Sequence, residues 1–449
     1  MTSRRNFLRF GCCSVSTLTV ASQFSRLGMI NALAQSTGDY KALVCIFMFG
    51  GNDANNTVLP LSSQYAQYAA VRGSLAIPQA NILACPTSSG AVYGLHPSLA
   101  PIHPLWAQRR LAIMANVGML VRPTTRDQYR SGAQVPSNLF SHSDQTSQWQ
   151  TAMPQGGTTG WGGRIADKLT QYGINQPSTF PLGVSVSGGA QLLNGVTTKP
   201  ATVSPGQTST GLEGTNPNNP AMVARDVSVQ ELLQMDSGLA LVQAASAGTS
   251  EGIRIAQIVS QATSSNPLAT QFPATGIGNQ LAQIARLIQV RAQLGMRRQI
   301  FFASIGGFDT HSNQLPDHIN LLTQVSNAMA AFHNATVELG VANQVTTFTE
   351  SEFSRTFQPS QGAGTDHAWG GHHLLMGAAV RGGELYGTFP TLALQGPDDS
   401  GNRGNWIPTS SLDQYGATLA SWFGVPPSDL LSVFPNLANF TSQNLGFML

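Results

Sequence analysis

Apolar residues gather in five runs along the chain. Lys41 to Phe49 (KALVCIFMF) is nearly unbroken and ends in Gly50-Gly51. Arg110–Val117, Gln299–Ile305 and Gln344–Thr349 repeat the pattern, and Phe180–Val186 repeats it more weakly. Short continuous apolar runs bounded by turn residues fit strands of a parallel sheet buried on both faces. Stretches with helical spacing lie between them, at about 276–298, 315–339 and 412–424. In the second, Leu321, Leu322, Val325, Met329, Phe332 and Val337 fall on helix spacing. The third stops at Gly424-Val425-Pro426-Pro427. Strands alternating with helices predict an α/β sheet covered on both faces. Residues 196–220, rich in Thr, Pro, Gly, Ser and Asn, read as a surface loop or insertion. No internal repeat is present, so the expected organisation is one domain over 40–449. No apolar run of membrane-spanning length follows the N-terminus, and no transmembrane segment is expected.

The N-terminus has a different character. Ser3-Arg4-Arg5-Asn6-Phe7-Leu8-Arg9 precedes an uncharged stretch, Phe10 to Val20, and then Ala32-Leu33-Ala34. Basic residues, an apolar stretch and a small-x-small site occur in the order of a twin-arginine signal. Residues 1–35 are therefore expected to engage the twin-arginine export machinery, and the mature protein to be periplasmic or secreted.

That reading changes the charge balance. The full chain has 23 basic and 21 acidic residues. Residues 1–34 hold Arg4, Arg5, Arg9 and Arg26 and no acid, so the remainder has 23 − 4 = 19 basic against 21 acidic residues, a net of −2. A nearly neutral chain without a basic stripe argues against nucleic acid as a partner. Outside the signal only Cys45 and Cys85 remain. One disulfide or two separate buried thiols are both open.

Polar clusters stand where the apolar runs end, the place where open α/β sheets bind ligands. They are Gly50-Gly51-Asn52-Asp53, Gly306-Gly307-Phe308-Asp309-Thr310-His311 and Thr349-Glu350-Ser351-Glu352-Phe353-Ser354-Arg355. A fourth is Thr365-Asp366-His367 through His372-His373, and Ser141-His142-Ser143-Asp144 has the composition of a helix N-terminus. Asp309 and His311, two residues apart in extended chain, point to one side and suit a divalent metal. Strand-end Asp and Asn are equally at home as plain turn residues. His142 reads as a surface histidine, and His318 and His333 as structural residues within helices.

Taken together, Gly50-Gly51-Asn52-Asp53, Gly160-Trp161-Gly162-Gly163-Arg164, Gly307-Phe308-Asp309-Thr310-His311, Glu352-Phe353-Ser354-Arg355-Thr356 and Gly364 to His372 resemble the signature blocks of the bacterial domain-of-unknown-function family 1501. Gly383-Glu384-Leu385-Tyr386-Gly387 and Val433-Phe434-Pro435 extend the resemblance, which spans about 40–440. It implies an alkaline-phosphatase-like, sulfatase-like fold: a mostly parallel sheet with helices on both faces. It also implies metal roles for Asp53, Asp309, His311 and Glu352, and for His367 or His372 as the late ligand. Phe353 stands where that superfamily has a histidine, Ser143 where the family has Phe, and Ser354 where it has Gly. The implied activity is metal-dependent hydrolysis of a small anionic phosphate or sulfate ester. Zinc or manganese would activate Ser141, Ser143 or a water, and Arg355 would neutralise the anion. The other class open to such a chain is a non-catalytic exported binding or assembly protein on a degenerate hydrolase fold.

Overall fold

A computed structural model describes residues 39–61, 64–205, 218–265 and 267–449. Residues 1–35, expected to be a twin-arginine signal, lie outside them. The strands are β1 Lys41–Met48, β2 Val58–Pro60, β3 Leu83–Pro86, β4 Val92–Leu95, β5 Leu111–Gly118, β6 Gly183–Ser185, β7 Ala201–Thr202, β8 Arg298–Ile305, β9 Val345–Glu350, β10 Gly371–Met376, β11 Leu385–Tyr386 and β12 Ser410–Ser411. Nine of them form one sheet in the order β11-β5-β10-β9-β1-β8-β6-β7, with β12 also paired to β5. β2, β4 and β3 form a small separate sheet.

The continuous apolar run of β1 is explained by its position. It pairs in parallel with β8 on one side and β9 on the other. Ala42, Val44 and Ile46 pack on one face with Leu281, Ile284, Val325 and Phe332, from the helices Gly276–Gln289 and Gln314–Glu338. Leu43, Cys45 and Phe47 pack on the other with Trp161, Ile165, Leu412 and Leu419, from the helices Trp161–Gln171 and Leu412–Phe423. Both faces are apolar because both are covered. The fold is an α/β sheet with helices on both sides, and the expected strands and helices are all present.

Two features differ from the sequence reading. The end of the polar cluster read at 365–373 belongs to β10, which runs antiparallel to both β5 and β9. Its start therefore lies at the same sheet edge as the ends of β1, β8 and β9. The segment 196–220 is not wholly a loop, since β7 extends the sheet beside β6. Cys45 and Cys85 are both buried and free. Among the described residues no helix is long and apolar enough to cross a membrane.

Candidate metal centre

Two close approaches bring the strand-end loops together. Gly50 has φ +115° directly after β1, and a Cβ there would lie 2.3 Å from the Asp309 backbone nitrogen. A side chain at 50 would push apart the loops that follow β1 and β8. Gly364 plays the same part for the later block: its Cβ would lie 2.0 Å from the His311 carbonyl carbon. The chain after β9 then pairs with the chain before β10. Ala368 donates to the Ser354 carbonyl (2.8 Å) and Thr356 to the Asp366 carbonyl (2.9 Å). This short ladder sets Arg355 opposite His367.

Three imidazoles meet one carboxylate at this edge. His142 Nε2 lies 3.4 Å, His311 Nε2 3.0 Å and His367 Nε2 3.4 Å from Asp309 Oδ1. His311 and His367 bring their Nε2 atoms to 3.1 Å of each other. The opposite nitrogen of each ring is taken. His142 Nδ1 donates to Glu352 Oε1 (2.9 Å), His367 Nδ1 to the Phe140 carbonyl (2.7 Å) and His311 Nδ1 to Asp366 Oδ1 (3.2 Å). Carboxylates and carbonyls accept, so each Nδ1 is placed to donate, and in the neutral form of a ring its Nε2 turns a lone pair inward. His142 Nε2 is buried with no hydrogen-bond partner. Several acceptor atoms facing one another at 3 Å repel unless a cation or a proton lies among them.

The local charges act on the rings in opposite directions. Hydrogen bonding to Glu352 raises the His142 pKa against the opposing effect of burial. Burial pushes Asp309 up, but Arg355 and the histidines outweigh it and hold its pKa below the usual value. Burial lowers that of His367. Arg355, 0% exposed, donates from Nη2 to Asp309 Oδ1 at 2.8 Å. Arg403 pairs with Asp366 behind His311.

The group close enough to share an ion is His142, Asp309 and His367. Of the sequence expectation it contains Asp309 and His367, while His311 stands beside it against Asp309 and Asp366. It adds His142, which the sequence reading had placed on the surface. The missed signal is its position as the first residue of a helix capped by Ser141, which aims it back toward the strand ends. Glu352 is fully buried and stands behind His142, accepting from the Gly50 N–H (2.7 Å) as well. The expected ligand Asp53 is spent elsewhere. It pairs with the buried Arg72 and accepts from Gln314 Nε2 and the Asn55 N–H. His372 is a core residue of β10, stacked on Phe389, and its Nδ1 accepts from the Asn116 N–H (3.0 Å). Burial pulls its pKa down to about 3. Arg355 is enclosed, so its visible role is to hold Asp309. Ser141 is engaged with Asp144 as the helix cap, and Ser143 stands exposed on the adjoining cleft.

Replacing Glu352 by Gln keeps the shape but removes the carboxylate behind His142. Outer partners of this kind are worth about 10–100-fold in metal affinity. A zinc titration competed against a chromophoric chelator should show that loss in Glu352→Gln. An unchanged affinity would make the Glu352–His142 contact purely structural.

Fold and site together define a mixed α/β protein with a histidine-rich centre at the carboxyl ends of its strands. The chain belongs to the family described as Protein of unknown function (DUF1501), whose model matches residues 40–401. No curated protein matches it. Among solved structures it is similar to the lipoteichoic acid synthase LtaP from Listeria monocytogenes, at 6% identity and TM-score 0.36, covering 90% of this chain and 76% of that one. It is also similar to the PsFucS1 sulfatase from Pseudoalteromonas sp., at 7% identity and TM-score 0.36, covering 89% and 70%. A third, Ps i-CgsB, gives 8% identity and TM-score 0.35, covering 89% and 77%. Matches of that size carry no argument here, and the fold is read from the sheet itself.

Proposed function

We propose that His142, Asp309 and His367 hold one divalent metal ion, with His311 beside them, and that the protein is an exported metal-dependent hydrolase of phosphate or sulfate esters. The observation that carries the metal is the convergence of imidazole Nε2 lone pairs on Asp309 Oδ1. Ligand atoms about 2.0 Å from a tetrahedral ion lie about 3.3 Å apart. His142 Nε2 and His367 Nε2 each stand 3.4 Å from Asp309 Oδ1, close to that edge. Nitrogen-rich donors with one carboxylate suit zinc best, manganese next, and do not suit calcium. Two ions are not expected, because Asp53 is consumed by Arg72 and Gln314.

When bound, the ion supplies Lewis-acid polarisation of an ester oxygen and lowers the pKa of a nearby water. The chain's own groups do the rest. Glu352, Asp366 and the Phe140 carbonyl fix the three ring orientations. Arg355 keeps Asp309 ionised and in place. Ser143, at the first turn of its helix, presents its hydroxyl to the cleft.

A non-catalytic binding or assembly protein is the second reading. It is favoured by one observation: Arg355 already pairs with Asp309 Oδ1 at 2.8 Å, so the carboxylate has a countercharge without an ion. Turnover decides between them. Zinc-loaded protein should release nitrophenol from p-nitrophenyl phosphate or sulfate, and the metal-free protein and His367→Ala should not. A stoichiometric zinc content with no turnover of either ester would leave the binding protein standing.

A further inference from the structure

We infer that the cleft beside this centre binds a neutral, polyhydroxylated group such as a monosaccharide, joined to the tetrahedral anion that sits at the metal end. The inference rests on the proposed metal centre for the anion, and on the cleft alone for the sugar. The cleft is shallow and wide open to solvent, and spans about 470 Å³. His142, Asp309 and Glu352 form one end. Phe49, Ser143, Thr146, Ser147 and Gln191 form the walls.

The helix His142–Thr151 explains the layout. Positions 142, 143, 146 and 147 recur at helix spacing and share one face. From His142 to Ser147 the axis rises about 7.5 Å. A ligand held at the metal end therefore runs along a row of hydroxyls. Thr146 and Ser147 make no side-chain hydrogen bond to the described residues and are half-buried. Gln191 gives its Nε2–H to the Gly157 carbonyl, which turns its Oε1 free as an acceptor. Phe49, half-buried at the end of β1, adds an aromatic face.

Most of this wall's exposed surface is apolar, with a few hydroxyl and amide donors and acceptors set in it, and it holds no Lys or Arg. A second anionic group would find no countercharge there. An acyl chain would cover the apolar part of the wall but leave the Thr146 and Ser147 hydroxyls and the Gln191 amide without partners, which is unfavourable. A polyol matches the hydroxyls with its own and lays its C–H face on Phe49.

Binding to uncleavable phosphonates tests this apart from catalysis. Zinc-loaded mature protein is titrated calorimetrically with ethylphosphonate, a glucose 6-phosphonate and an adenosine 5′-phosphonate. The glucose compound should bind at least about tenfold tighter than ethylphosphonate, as one or two added hydrogen bonds allow. The Thr146→Val, Ser147→Ala double variant, checked by thermal melting for an intact fold, should lose that discrimination. Equal Kd values in the wild type would overturn the inference, and so would a preference that survives in the double variant or a tighter fit for the adenosine compound. If the tenfold preference holds but glucose 6-phosphate is never cleaved, the hydrolase reading falls and the sugar site stands.

Discussion

His367→Ala protein, purified without chelator, should contain less than a tenth of an equivalent of zinc where the wild type holds about one. Loss of one ligand takes away more than an outer-shell partner, whose removal already costs about 10–100-fold in affinity. His142→Ala and Asp309→Ala should behave alike. His103→Ala is the control, because His103 lies away from the centre and contacts the Ala84 carbonyl. Elemental analysis reads the result. Equal zinc in all four variants would show that Arg355 alone satisfies Asp309 and that the histidines only hydrogen-bond. Acidification adds a second readout. The ligands must be neutral to bind metal, so affinity falls as they take up protons. Glu352 raises the His142 pKa above its ordinary value of 6.5. The decline should therefore begin above pH ~6.5 and not below it.

Arg72→Met should destabilise the folded chain by about 3–5 kcal/mol, the usual cost of removing one partner of a buried ion pair. Arg72 and Asp53 are both fully enclosed and paired with each other. Arg72 Nη1 also donates to the Thr356 and Phe357 carbonyls, each at 3.1 Å. It therefore ties the segment after β1 to the segment after β9. Removing it leaves the Asp53 carboxylate with Gln314 and the Asn55 N–H but no countercharge. Denaturant unfolding should show a lower midpoint at unchanged slope. Adding Asp53→Asn should recover part of the loss, since the stranded charge is removed too. Asp53→Asn alone should leave the zinc content of the folded fraction at one equivalent. A fall in zinc content there would return Asp53 to the ligand set.

The sheet was legible in the sequence because β1, β5, β8 and β9 are buried on both faces. Burial on both faces writes itself as an unbroken apolar run, with Gly50-Gly51 marking the end of the first. β10 was not legible. Its sequence, GHHLLM, places two buried histidines in the strand, and the polar clusters on either side disguise it. His372 and His373 are buried and neutral in the core, their pKa values pulled down to about 3 by burial. The sequence alone gives no means to separate such a histidine from a ligand.

The same limit governed the centre. Sequence proximity put Asp309 and His311 together after a strand. Consecutive tight turns, Thr310 N–H to the Phe308 carbonyl and His311 N–H to the Asp309 carbonyl, and not extended chain, bring their side chains together. The family blocks extended the set to His367. Three things were decided only by the tertiary structure. His142 reaches Asp309 from 167 positions away in the chain, a separation no local pattern records. The antiparallel direction of β10 brings His367, which precedes it, to the edge where the parallel strands end. Asp53 has the right chemistry at the right strand end, yet the fold places Arg72 and Gln314 against it first. A carboxylate is committed to whichever cation is buried beside it, and three-dimensional packing chooses that neighbour.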